Sequence, residues 1–94
     1  MIPVHPGRIL KREMAARELS ANRLAVALRL PSGRITDILG AKRAITPDTA
    51  LRLGRYFGNS ARFWLNLQTA YDLARETQLK GRRIEAEVAP AEVA

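Results

Sequence analysis

Apolar residues recur at helical spacing in two short segments that a proline separates. In the first segment these positions form one face of a helix: Ala21, Leu24, Ala25 and Leu28. Ser20 can cap the first turn, and Pro31 ends the helix because it disfavours helical backbone angles at the residue before it. We therefore predict a helix over residues 20–29.

The second segment predicts another helix, over residues 32–39, with Ser32 as its cap. Its inward side chains are Ile35, Ile38 and Leu39. A joint of only three residues connects the two helices, and the small Ala25 allows them to cross closely. This is a helix-turn-helix pattern, whose second helix enters the major groove of DNA, although similar joints also occur in purely structural domains. At Arg29 such joints often carry glycine, because a positive φ is common there.

Start and stop signals elsewhere in the chain also indicate helices. Pro6 suits the first turn of a helix that continues to about Leu19, because its missing N–H would be unpaired there. Thr46-Pro47-Asp48 combines a hydroxyl cap, a proline and a carboxylate. This combination favours a fourth helix, which ends near Phe57.

The C-terminal third of the chain is expected to form one long helix and a tail. Gly58-Asn59-Ser60 ends the fourth helix and caps a fifth over residues 61–80. The last segment mixes Gly, Pro and Ala with alternating charge, so residues 81–94 are expected to be a disordered tail. The prediction is an all-α fold with a five-helix domain over residues 1–80.

Length and composition restrict the class of protein. A chain of 94 residues allows one domain, and its 47% of hydrophobic residues is enough for a packed interior. Cysteine is absent, and no apolar run approaches the roughly 20 residues of a membrane span. The first residues show no signal-peptide pattern, so a cytoplasmic protein is expected.

Positive charge is concentrated in the first two thirds of the chain. Residues 1–62 hold 12 Lys and Arg against 4 Asp and Glu, whereas residues 63–94 hold 4 against 5, within a net charge of +7. The sequence pI is about 11.1. This asymmetry is typical of nucleic-acid binders, although basic partners of acidic proteins carry similar charge.

The side chains left outside on the second helix of the motif suit a DNA groove. They are short except for one arginine: Ser32, Gly33, Arg34, Thr36 and Asp37. Arg34 lies in the first turn, from which its guanidinium can donate two hydrogen bonds to the O6 and N7 atoms of a guanine. Asp37 could accept from a cytosine amine or pair with Arg34 one turn away.

Residues that flank this helix are candidates for contacts with DNA phosphates. They lie at the start of the preceding helix and in the following loop: Ser20, Asn22, Arg23, Lys42 and Arg43. For Arg52 and Arg55, which lie outward on the fourth helix, simple solvation is the expected role.

The fifth helix carries more apolar width than four short helices can cover. One stripe contains Phe63, Leu67, Ala70 and Ala74, and a neighbouring stripe contains Trp64, Gln68 and Tyr71. Aromatic residues are enriched in interface cores, and a helix-turn-helix protein needs two reading helices for a two-fold DNA site. We predict a dimer interface at this helix and the end of the fourth, with a wholly internal Trp64 as the alternative. Its residues are Phe63, Trp64, Leu67 and Tyr71.

Four stretches of the sequence resemble one known family: HPGRILK (5–11), SANRLAVALRLPSGRITDIL (20–39), KRAITPDTALRLGRYFG (42–58) and FWLNLQTAYDL (63–73). They are similar to HigA-type antitoxins, the Cro/C1-repressor-like helix-turn-helix proteins of HigBA toxin–antitoxin modules. The last two stretches are not generic to helix-turn-helix domains. The resemblance implies a homodimer that represses its own operon and binds a RelE-like toxin, an mRNA-cleaving ribonuclease. Gly40 stands one position before the glycine usual in the family.

The resemblance leaves the toxin-binding surface open. If the reading helix must stay free for DNA, the toxin contacts the first helix, the N-terminal arm or the outer face and tail beyond residue 74. The arm and the first helix are favoured, because a short chain has little core volume to absorb their apolar residues. These residues are Ile2, Val4, Ile9 and Met14.

Two other functions remain open from the sequence alone. A stand-alone transcriptional repressor would share the DNA-binding half, and a purely toxin-binding inhibitor would need a reading helix unable to hold duplex DNA. An enzyme is disfavoured, because His5 is the only histidine and there is no Cys or clustered set of Asp and Glu. No metal or cofactor is expected.

Overall fold

Five α-helices form the regular secondary structure of residues 3–92, the part of the chain that the computed structural model describes. They are α1 (Pro6–Ala16), α2 (Ala21–Leu28), α3 (Ser32–Leu39), α4 (Pro47–Phe57) and α5 (Ala61–Glu87). The all-α, five-helix prediction is confirmed. α2 and α3 match their predicted bounds to within one residue, because Ser20 caps the start of α2 and Pro31 separates the two helices.

Three of the predicted helix caps are present. The hydroxyl oxygens of Ser20, Thr46 and Ser60 accept hydrogen bonds from backbone N–H groups in the first turns of α2, α4 and α5, at 3.1, 3.4 and 3.1 Å. The cap predicted at Ser32 is wrong. Pro31 occupies the cap position of α3, because its φ of −62° and ψ of 141° give the extended backbone that a cap residue adopts.

α1 ends at Ala16, three residues before the predicted end near Leu19. Glu18 has a left-handed conformation with a φ of 49°, and the N–H of Leu19 donates to the carbonyl of Met14 at 2.9 Å. This turn directs Leu19 back against the hydrophobic core. The apolar pattern continued past the helix because Leu19 packs inward without being helical.

α5 continues to Glu87, seven residues beyond the predicted end, so the prediction of a disordered tail is wrong for residues 81–87. Ion pairs at i,i+4 spacing support this part of the helix: Glu76 with Lys80 at 3.4 Å and Arg83 with Glu87 at 3.6 Å. Each such pair stabilises an exposed helix by about 0.3–0.5 kcal/mol. Residues 88–92 have no regular structure, and residues 93–94 lie outside the described part.

The core forms where α3 packs against α1 and α2 and where α5 packs against α4 and α1, and α4 also packs against α2. Its large, fully buried side chains include Leu10, Leu24, Ile35, Ile38, Leu53 and Trp64. Arg52 adds a polar connection, because its guanidinium donates to the carbonyl of Leu28 on α2 at 2.9 Å and pairs with Asp48 at 2.9 Å. The expectation that Arg52 is simply solvated is therefore wrong, whereas Arg55 is exposed.

Candidate nucleic-acid interface

The joint between α2 and α3 is a tight turn around Arg29. This residue has the left-handed conformation, with a φ of 59° and a ψ of 45°, at the position where such joints often carry glycine. The N–H groups of Arg29 and Leu30 donate to the carbonyls of Val26 and Ala25 at 3.2 and 2.9 Å. The helix-turn-helix therefore forms with an arginine in this position, at a cost of about 1–2 kcal/mol in backbone strain.

α3 separates its apolar and polar side chains onto opposite faces. Ile35 and Ile38 are fully buried, and Leu39 is half-buried. The candidate reading residues cover the rest of the helix: Ser32, Gly33 and Thr36 are exposed, and Arg34 and Asp37 are half-buried. The hydroxyl of Thr36 donates to the carbonyl of Gly33 at 3.0 Å. Short polar side chains thus surround the single arginine on the outer face of α3.

The loop after α3 brings two of the candidate DNA-binding residues together. The carboxylate of Asp37 lies 3.8 Å from the guanidinium of Arg43, and the carbonyl of Asp37 accepts from the N–H of Lys42 at 2.8 Å. The suggested pairing of Asp37 with Arg34 is wrong, because the loop turns back along α3 and places Arg43 beside Asp37. Ala41 makes this turn with a φ of 60°.

The candidate phosphate contacts lie at exposed ends of the elements. Asn22 and Arg23 are exposed in the first turn of α2, and Lys42 and Arg43 are exposed in the loop. The first turn of α2 contains no acidic residue, so the positive end of its helix dipole is open to a phosphate. The hydroxyl of Ser20 already caps α2, so a phosphate would compete with that hydrogen bond.

The aromatic side chains of α5 differ in exposure. Trp64 is fully buried, its ring lies at right angles to that of Phe63, and its indole N–H donates to the side-chain oxygen of Asn59 at 2.8 Å. The prediction that Trp64 contributes to a dimer interface is therefore wrong, because its own protomer leaves no surface for a partner. Phe63 is 40% exposed, and Leu67 and Tyr71 are half-buried.

The same fold occurs in solved antitoxin structures. An addiction module antidote protein of a HigA family from Coxiella burnetii is 49% identical, with a TM-score of 0.93 over 97% of this chain and 100% of that one. The Pseudomonas aeruginosa antitoxin HigA, solved with the higBA promoter, is 43% identical, with a TM-score of 0.92 over 96% and 99% of the two chains. The chain belongs to the HigA family of antitoxins.

A further relative of this HigA-family chain is the virulence-associated protein I of Dichelobacter nodosus. It is 52% identical over 81 residues, which are 85% of this chain and 75% of that protein. No protein-family model matches the chain. The resemblance inferred from the four sequence stretches is confirmed by the two antitoxin structures.

The N-terminal arm and α1 of this HigA-family chain form a shallow groove. It is lined by Val4, Arg8, Ile9, Lys11, Arg12 and Ala15. Among the predicted toxin anchors, Val4 is 52% exposed and Ile9 is half-buried, whereas Met14 belongs to the core and is wrong as an anchor. Ile2 lies outside the described residues. The groove therefore combines the exposed Val4 and the half-buried Ile9 with a basic surface.

Gln68 has a structural role that its position in the sequence did not predict. This side chain is 6% exposed; its Oε1 accepts from the N–H of Ile45 at 2.8 Å, and its Nε2 donates to the carboxylate of Asp72 at 2.9 Å. Gln68 therefore connects the end of the loop after α3 to α5. The signal in the sequence was a polar residue between Trp64 and Tyr71 in an otherwise apolar stripe.

His5 is a second buried polar residue beside this loop. Its Nδ1 accepts a hydrogen bond from the N–H of Gly7 at 2.9 Å, so the ring caps α1. Burial lowers the pKa of His5, and the carboxylate of Asp72 and a hydrogen bond with the backbone of Arg43 partly oppose this shift. A neutral ring is the form in which Nδ1 can accept the capping hydrogen bond.

Within residues 3–92, no group of three or more His, Cys, Asp and Glu side chains could hold a metal ion. None of the helices in that range combines the length and the apolar character that a membrane span requires.

Proposed function

We propose that this protein is the antitoxin of a type II toxin–antitoxin module. In this role it neutralises a co-encoded RelE-like, mRNA-cleaving toxin and represses its own operon by binding an inverted-repeat operator as a dimer. The observation that supports the DNA-binding half is the outer face of α3, which presents Arg34 among short polar side chains beside a basic loop. The toxin-binding half rests on membership of the HigA family.

Arg34→Ala should lose discrimination at one symmetric base position of the operator. A bidentate contact from arginine to guanine contributes about 1–3 kcal/mol, which is roughly 5- to 150-fold in relative affinity. Lys42→Ala should instead weaken binding to all sequences alike and lower the log–log salt slope by about 1, since a phosphate contact does not identify a base. Titrations of operator, single-base variants and random duplexes at several salt concentrations measure both effects.

Arg55→Ala is the matched control for these two variants, because Arg55 is an exposed arginine on α4 outside the candidate interface. It should change neither the discrimination nor the salt slope. Equal losses on operator and random DNA for Arg34→Ala would remove Arg34 from the reading residues.

The dimer that an inverted repeat requires is expected at α5. The outer stripe of this helix continues past the core at alternating spacings of four and three residues: Phe63, Leu67, Ala70, Ala74, Thr77, Gly81 and Ile84. Helices that pack along each other have this spacing, and the small side chains in the middle of the stripe allow a close approach. Two reading heads joined here would bind half-sites about 34–36 Å apart, or a multiple of that distance.

Val4→Glu should abolish rescue from the toxin. We place the toxin in the groove between the N-terminal arm and α1, because Val4 is exposed there and the groove lies outside the outer face of α3. A carboxylate buried without a partner in this interface would carry a large desolvation cost. Co-expression with the neighbouring reading frame, with growth as the readout, measures rescue.

Val26→Glu is the matched control, because Val26 is an exposed valine on α2 and should still allow rescue. If Val4→Glu still allows rescue and Val26→Glu does not, the toxin binds instead to the surface of α2 and α4. On α4, Leu51 and Tyr56 are also exposed. No rescue by the unaltered protein would favour a stand-alone repressor. Rescue without operator binding would favour a pure toxin inhibitor.

Both proposed roles are binding roles, so we propose neither a catalytic activity nor a cofactor. Operator DNA and translated mRNA share the cytoplasm, which is where we place the protein.

A further inference from the structure

Two parts of the chain that are distant in sequence meet beneath the loop between α3 and α4, residues 40–46. The N-terminal arm contributes His5, and α5 contributes Gln68, Tyr71 and Asp72. The rings of His5 and Tyr71 pack edge to face, with centroids 4.8 Å apart. We call these four side chains the loop support.

Gln68 holds the end of the loop. Ile45 is 2% exposed, so its N–H needs an acceptor inside the protein, and the Oε1 of Gln68 provides it at 2.8 Å. Asp72 accepts from the Nε2 of Gln68 and thereby fixes which way the amide points. Because a buried N–H without a partner is costly, this hydrogen bond attaches Ile45 firmly to α5.

His5 lies against the middle of the loop, where it lines one cleft together with Lys42, Arg43 and Ala44. The same ring caps α1 and contacts Tyr71, so it links the arm, α5 and the loop. The charged side chains that line the cleft around the ring are Asp72 and Arg75 from α5 and Lys42 and Arg43 from the loop. A displacement of the N-terminal arm or of α5 would therefore also displace Lys42 and Arg43.

The outer part of the loop has few other attachments. Backbone hydrogen bonds to α3 hold the loop only as far as Lys42 among the described contacts. Beyond that point, Arg43 and Ala44 are exposed. The ion pair between Arg43 and Asp37 is 3.8 Å long and open to solvent, and such pairs contribute little to order. The position of Arg43 therefore depends on the loop support.

We propose that the loop support positions Arg43 for contact with a DNA phosphate, so that operator affinity depends on four side chains that do not touch DNA. This inference rests on the DNA-binding half of the proposed function. His5 and Gln68 are positioning residues, because they act through the backbone of the loop.

Gln68→Met tests the inference, since methionine keeps the length of the side chain and removes the acceptor for the N–H of Ile45. We expect operator binding to be roughly tenfold weaker and the log–log salt slope to fall by about 1, because one phosphate contact is lost. Hydrogen exchange at the Ile45 amide should become faster. In the Gln68→Met background, Arg43→Ala should have little further effect, because its contact is already absent.

Arg52→Met is the matched control. Arg52 also makes a hydrogen bond from its side chain to the backbone of a distant element, at Leu28, but it lies away from the loop. This variant should lower the melting temperature, keep the salt slope, and preserve the full effect of Arg43→Ala.

The inference is overturned if Gln68→Met binds the operator with unaltered affinity and salt slope. It is also overturned if Gln68→Met and Arg52→Met weaken binding equally without a change in slope. If Gln68→Met does not fold, His5→Asn provides the same readouts and the same expected losses, because asparagine still caps α1 but lacks the ring that reaches Tyr71 and Arg43. If the unaltered protein binds no DNA, the proposed function is overturned as well. This outcome is distinguished from failure of the inference because it is measured on the unaltered protein, before the variants are compared.

Discussion

Replacing Trp64 by alanine should lower the free energy of unfolding by about 3–5 kcal/mol. The side chain is the largest that is fully buried, and its indole N–H has its partner, Asn59, inside the same protomer. Alanine would leave a cavity between α4 and α5 and an unpaired Asn59 oxygen. Small domains have a total stability of about 5–15 kcal/mol, so this loss is roughly a fifth of it or more. Urea unfolding followed by circular dichroism measures the change.

Phe63→Ala separates packing from association in the same experiment. Phe63 is the sequence neighbour of Trp64 but is 40% exposed on the outer stripe of α5. Phe63→Ala should lower the free energy of unfolding by much less than Trp64→Ala does. It should also shift the mass measured by light scattering toward that of a monomer. A Trp64→Ala protein that is monomeric yet as stable as the parent would return Trp64 to the dimer interface.

The helix-turn-helix could be predicted from the sequence because every local signal agreed. The apolar spacing of Leu24, Leu28 and Ile35 is interrupted by Pro31, and the proline leaves the chain no helical path across the joint. The caps at Thr46 and Ser60 could also be predicted, because each hydroxyl oxygen accepts a hydrogen bond from an N–H group only three residues away. Signals that act over one turn of helix therefore predicted the bounds of α2 and α3 and the starts of α4 and α5.

The inward face of α5 could not be predicted in the same way. Phe63 and Trp64 begin two adjacent apolar stripes, and periodicity alone does not say which stripe the other helices cover. The structure places Trp64 and Gln68 inside, where Gln68 binds the backbone of Ile45 from 23 residues away. Arg52 similarly reaches Leu28 across 24 residues. Contacts of this range depend on the fold as a whole, so residue spacing did not reveal them.

Three of the four stretches that carry the family resemblance meet around the loop between α3 and α4. The HPG start supplies His5 and Gly7, the KRAIT loop supplies Arg43 and Ile45, and the QTAYD segment of α5 supplies the remaining loop support. These stretches are separated in sequence but adjacent in the fold.

Gly7→Ala should be the most disruptive small substitution, with a loss of about 3 kcal/mol in the free energy of unfolding, at the upper end of the range for overpacking. A Cβ at this position would overlap the carbonyl oxygen of Ile38 and lie 3.1 Å from the Nδ1 of His5. The carbonyl oxygen of Ile38 is a backbone atom at the end of α3, so it cannot rotate away as a side chain could. The variant would therefore push α1 from α3 and strain the cap that His5 provides.

Gly33→Ala is the control that makes this result specific, because Gly33 is the second residue of α3 just as Gly7 is the second residue of α1. A Cβ at Gly33 meets nothing within 4 Å. Since alanine is favoured over glycine in a helix by up to about 1 kcal/mol, Gly33→Ala should leave stability unchanged or raise it. Thermal unfolding of the two variants side by side measures the difference. If Gly7→Ala is as stable as Gly33→Ala, α1 and the end of α3 do not approach as closely in solution as the structure places them.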